Sequence, residues 1–152
     1  MKKLVKIFSV LMLMIGSFAF GQTKEQDKAL NADYLTLKTE VDNVANDYAN
    51  ANSFVNEFTA GSKSANPIIV EILKEIYSNK NTDVSKYANG NTTVLFKKLV
   101  EELNNTKYSA LSYDEKVEML FGNPDTTYSK KGTIIRIIKI IIRIIDIIGD
   151  WI

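Results

Sequence analysis

Leu30, Tyr34, Leu37, Val41, Val44, Tyr48, Ala51, Val55 and Phe58 follow one another in alternating steps of four and three. That spacing sets all nine on one stripe of a helix, a heptad seam. The residues between them are mostly Asn, Asp, Thr, Glu and Lys, as a solvated face requires. The pattern predicts one long helix from about Lys24 to Ala60, with Gly61 as its stop. Such a seam serves either a coiled-coil dimer or the long helix of an intramolecular bundle. The amphipathic segments that follow need a surface to pack on, which favours the bundle.

Four further segments read as helical. Asn66-Pro67 is a start signal: Asn caps well, and proline suits the first turn, where its missing N–H has no partner. Ile68, Ile69, Ile72, Leu73 and Ile76 then form a buried face, and Ser78 to Asp83 is a polar break. A short turn over Val84 to Ala88 ends at Gly90. Thr92 or Thr93 is expected to cap a helix carrying Leu95, Phe96, Leu99, Val100 and Leu103, which Asn104-Asn105 ends. Ser112-Tyr113-Asp114-Glu115 matches a capping box, in which Ser and Glu satisfy each other's free backbone donors. Val117, Met119, Leu120 and Phe121 lie on the helix that follows, and Gly122 fits its C-terminal cap. No strand pattern and no internal repeat appears. The fold class expected is all-α: a small helical bundle with a long N-terminal helix and an isoleucine-rich C-terminal helix.

That last segment is the most unusual. Thr133 to Ile152 contains twelve isoleucines, and its charges recur at Arg136, Lys139, Arg143, Asp146 and Asp150. At about 100° per residue the five charges share an arc of roughly 80°. The rest of the circumference is Ile and Trp151, broken by Gly149. Burying one Ile side chain is worth about 1.5–3 kcal/mol, so twelve represent on the order of 20–35 kcal/mol as an upper figure. A domain's net stability is only about 5–15 kcal/mol. This surface therefore needs a dry environment, supplied by lipid, by another subunit or by the bundle itself.

The tail resembles amphipathic membrane-lytic peptides, including small bacterial haemolysins that pair apolar runs with an Ile-Gly-Asp step, here Ile148, Gly149 and Asp150. That resemblance implies a protein that engages or perturbs membranes, toxin-like in character. A lone membrane crossing is disfavoured by Arg143 near the centre. An interfacial helix, or several helices assembled around water, avoids that cost. The side chains expected to meet lipid are Ile134, Ile135, Ile138, Ile141, Ile142, Ile145 and Ile148. Lys130, Lys131 and Arg136 would suit anionic headgroups, Lys139 and Arg143 would lie on the same charged face toward water, and Trp151 would suit the interface. The competing reading makes this helix the core of a periplasmic or secreted binding or scaffold bundle, or an oligomer interface.

Charge sharpens the contrast between body and tail. Residues 22–129 carry 11 basic and 16 acidic side chains, net −5, and residues 130–152 carry 5 basic and 2 acidic, net +3. This split allows attraction of the tail either to the body or to an anionic membrane. Lys2, Lys3 and Lys6, an apolar run through Phe20 and the small residues Ala19 and Gly21 read as an export signal over residues 1–21. It resembles Bacteroidota-type signal peptides, cleaved before Gln22. The expected organisation is a bundle over 22–122, a linker over 123–132 and the tail helix over 133–152. Cysteine and histidine are both absent. That removes thiolate and imidazole metal ligands and the commonest nucleophile–base pairings, and no phosphate-binding glycine loop is present. The chain is not expected to be an enzyme or to hold a cofactor. Its expected partners are membrane lipid or a hydrophobic protein, including further copies of itself, and the acidic body disfavours nucleic acid.

Overall fold

In the computed structural model the described residues are 24–88, 90–122, 124 and 131–151. The expected export signal over residues 1–21, most of the expected linker over 123–132, Lys130 and Ile152 lie outside them. The described residues form an all-α bundle: α1 Lys24–Ala45, α2 Ala51–Thr59, α3 Pro67–Ser78, α4 Ser85–Ala88, α5 Asn91–Leu103, α6 Tyr113–Phe121 and α7 Lys131–Gly149. A 3-10 turn at Tyr108–Ala110, which has no strong sequence signal, joins α5 to α6.

The heptad seam is one stripe but two helices. The expected single helix to Ala60 is broken between Ala45 and Ala51. The intervening Asn46, Asp47 and Asn50 belong to residue types whose side chains compete for backbone groups and so favour turns. Asn50 Oδ1 accepts from Ser53 N at 2.9 Å and caps α2. Tyr77 Oη donates to the Tyr48 carbonyl oxygen at 3.0 Å, supplying a partner to backbone released by the break. The seam survives because both helices keep it inward. Leu30, Tyr34, Leu37, Val41, Val44, Val55 and Phe58 are buried, and Tyr48 and Ala51 pack half-buried against the same core.

Other start and stop signals act locally as their residue types dictate. Asn66 Oδ1 accepts from Ile68 N at 2.8 Å and Ile69 N at 3.3 Å, with Pro67 in the first turn of α3. Ser112 Oγ accepts from Glu115 N at 3.2 Å while Glu115 Oε1 accepts from Ser112 N at 2.8 Å, completing the capping box of α6. Hydrogen bonding to the carboxylate from Ser112, its backbone N–H first, holds the Glu115 carboxyl below its usual range. Gly122 follows α6 with φ +79°, and a Cβ there would stand 2.6 Å from Ser62 Oγ, so a close approach and a left-handed backbone both require glycine.

The cap of α5 differs from expectation. Gly90 occupies the N-cap, and Thr92 and Thr93 lie buried inside the helix. Thr93 is committed elsewhere: its Oγ1 donates to the Tyr87 carbonyl oxygen at 2.8 Å and lies 2.7 Å from Tyr34 Oη. Tyr34, Tyr87 and Phe96 form an aromatic cluster around it, with the rings of Tyr34 and Tyr87 edge-to-face at 6.1 Å.

Candidate functional site: the C-terminal helix and its acidic partners

Helix α7 packs against α1, α5 and α2. Nine of its isoleucines are buried: residues 134, 137, 138, 140, 141, 142, 144, 145 and 148, together with Trp151. Ile135 and Ile147 are half-buried. Arg136, Lys139, Arg143, Asp146 and Asp150 are exposed, as the narrow arc of charges requires. The helix is thus covered by its own domain. Of the three dry environments open to so apolar a rod, the bundle covers it here: α1 and α5 pack against α7, and their buried apolar residues share its core. Its first helical residue is Lys131, two positions before the expected start at Thr133.

Of the side chains expected to meet lipid, Ile134, Ile138, Ile141, Ile142, Ile145, Ile148 and Trp151 lie within the bundle. Arg136, Lys139 and Arg143 lie on its surface. The structure brings these two sets to opposite sides of one helix. Among the described residues no helix is long and apolar enough to cross a membrane.

Charge pairing supplies the register. Arg143 Nη2 donates to Asp33 Oδ1 at 2.6 Å, and Arg136 Nε donates to Glu40 Oε2 at 2.9 Å. Asp33 and Glu40 are seven residues apart on α1, and Arg136 and Arg143 seven apart on α7 in the opposite order. The two helices therefore run antiparallel with matched heptads. The acidic body meets the basic tail within one molecule, one of the two outcomes the charge split allowed. Sequence reasoning assigned no role to Asp33 or Glu40. Their signal was a pair of acids on the flank of the seam at the same seven-residue interval as the two arginines.

The Asp33 carboxyl is nearly sealed off, and its Oδ2 is buried with no hydrogen-bond partner. Burial pushes its pKa above the ordinary 3.8, with the Arg143 charge opposing. Glu40 likewise has one oxygen on Arg136 and one buried without a partner. At the other edge of the same charged stripe, Lys116 Nζ stands 3.8 Å from Asp146 Oδ1. Burial raises the Asp146 carboxyl, Lys116 lowers it, and Asp150 raises it again. No group of three or more potential metal ligands occurs among the described residues.

The arrangement defines the class: an all-α bundle closed by an isoleucine helix and registered by two heptad-spaced ion pairs. No family model, curated protein sequence or solved structure matches this chain.

Proposed function

We propose that this chain is an exported helical bundle that acts by binding or scaffolding rather than by catalysis, with α7 as its core. The observation that carries this reading is the burial of nine α7 isoleucines by the preceding helices. At about 1.5–3 kcal/mol per buried Ile, exposing α7 to water would cost on the order of 13–27 kcal/mol, comparable to or above the roughly 5–15 kcal/mol net stability of an ordinary domain. A membrane-engaging role would therefore need an opened bundle, since the apolar face that would meet lipid is the face packed inward. The chain's lack of histidine and cysteine supports binding over catalysis.

Removing residues 133–152 and following helicity and melting by circular dichroism, beside flotation of the intact chain with anionic vesicles, tests the proposal. The expected result is a truncated chain without cooperative melting and an intact chain that stays off the vesicles. A truncated chain that folds cooperatively, with vesicle binding confined to the intact chain, would overturn the proposal in favour of membrane engagement.

A further inference from the structure

Helix α6 is held differently from the other helices. Of its nine residues only Leu120 and Phe121 are buried, with Val117 and Met119 half-buried. Among the described residues no other helix packs along its length, and it rests on helix ends and turns instead. Asn66 N, at the head of α3, donates to the Leu120 carbonyl oxygen at 2.9 Å. Ser62 and Ser64 stand against Gly122. Lys116 Nζ lies 5.0 Å from the centre of the Tyr108 ring and 3.8 Å from Asp146 Oδ1, whose side chain is 51 % exposed. An ion pair so long and so exposed contributes little.

The space beside Lys116 points the same way. An open cleft of about 270 Å³ lies there, walled by Val100, Leu103 and Ile145. At this place α6 does not close on the ends of α5 and α7, and the dispersion contacts of a packed interface are not made. Helices α5 and α7 pack on each other directly, so the core does not depend on α6 to join them. Segments with few buried apolar contacts open at the low end of a protein's range of opening free energies.

We propose that α6 is a strap: Tyr113–Phe121 detaches from the bundle as one unit while α7 stays seated, exposing Leu120, Phe121 and the core surface they cover. Two features make the opening all-or-none. A nine-residue helix is marginal alone, so α6 loses its helix on leaving its seat. Its two buried side chains are neighbours in sequence, so they leave together. The Asn66 N–H is released in the same step, although α3, which Asn66 caps, stays folded. The strap bares apolar surface at one end of the bundle without exposing α7. The inference goes beyond the binding reading above and rests on its seated α7.

Native-state hydrogen exchange of the intact chain, followed amide by amide through low guanidinium chloride concentrations, tests the inference. The amides of Lys116 and Gly122, bonded to the Ser112 and Glu118 carbonyl oxygens, report the two ends of α6. Both, together with the Asn66 amide, should share one opening with little denaturant dependence, about ten-fold or more populated than the opening that exposes α7. Leu120→Ala should raise exchange at all three amides about ten-fold or more. Ile137→Val, in the first half of α7, should speed exchange across α7 several-fold and leave the three amides unchanged. Exchange of α6 and Asn66 only in the global opening shared with α7 would overturn the strap alone. Early exchange of Lys116 and Gly122 with Asn66 still protected would mean that the helix frays in its seat, and would also overturn it. Unprotected α7 amides would overturn the seated α7 and the binding reading with it.

Discussion

Arg143 and Asp33 are 110 positions apart in sequence, yet they share a 2.6 Å charge-assisted hydrogen bond in which the partners are unequally exposed. The arginine side chain is 67 % exposed and the aspartate 4 %. The arginine remains solvated while the carboxylate bears most of the desolvation. This asymmetry decides what each substitution does.

Arg143→Met leaves a buried carboxylate without its counter-charge. We expect a loss of about 1–3 kcal/mol at neutral pH by chemical denaturation, below the cost for a fully buried pair because Arg143 is itself solvated. Asp33→Asn removes the buried charge and should be neutral or stabilising at pH 7. The Asp33 pKa is raised on folding, so the folded state holds its proton more tightly than the unfolded chain. Its contribution to stability is therefore greatest below the ordinary 3.8 and is lost as pH rises through the folded value. Asp33→Asn should flatten that limb of the stability profile; an unchanged profile would refute the assignment.

Ile141 and Ile144 are fully buried on the inward face of α7. Truncation of either to alanine should cost about 2–5 kcal/mol, and Ile141→Val about 0.5–1.5 kcal/mol. Exposed Lys139 lies on the opposite edge, and Lys139→Ala should change stability by less than about 0.5 kcal/mol. Denaturant midpoints of the four variants check the ranking. Equal small effects at all three positions would mean that α7 is not seated.

Burial lowers the Lys97 pKa from 10.5 to about 8, with Glu101 opposing. Between those values the unfolded chain binds more protons than the folded one, so stability rises with pH there. Below about 8 the lysine is charged in both states and its desolvation weighs against folding. Lys97→Met should raise the melting temperature at pH 7 and abolish the rise between pH 8 and 10.5. Melting curves across that interval are the measurement.

Gly122→Ala combines a φ of +79° with a Cβ placed 2.6 Å from Ser62 Oγ. A destabilisation of about 1–3 kcal/mol is expected. Ser62→Gly in the same chain should recover part of it, by relieving the contact but not the backbone conformation. Full recovery would show that the close approach alone required glycine.

The capping residues Asn66 and Ser112 could be read from sequence because a cap bonds to backbone two or three residues away, which local chemistry settles. The all-α class, the seam and the inward face of α7 were legible for a similar reason, since helical periodicity displays which side must be dry. The break at residues 46–50 was not legible, because a heptad seam continues across a turn when both helices keep the same side buried. Nor was the position of Thr93, whose hydroxyl answers to Tyr34 and Tyr87 rather than to its own helix end. Sequence alone determined that residues 133–152 have twelve isoleucines to hide and a thin charged edge to keep wet. Only the tertiary structure decided what hides them, because hydrophobic burial is non-directional and lipid, a second copy and α1 would all serve. Direction came from Asp33 and Glu40, whose matched spacing with Arg143 and Arg136 sets the register in which the helix lies.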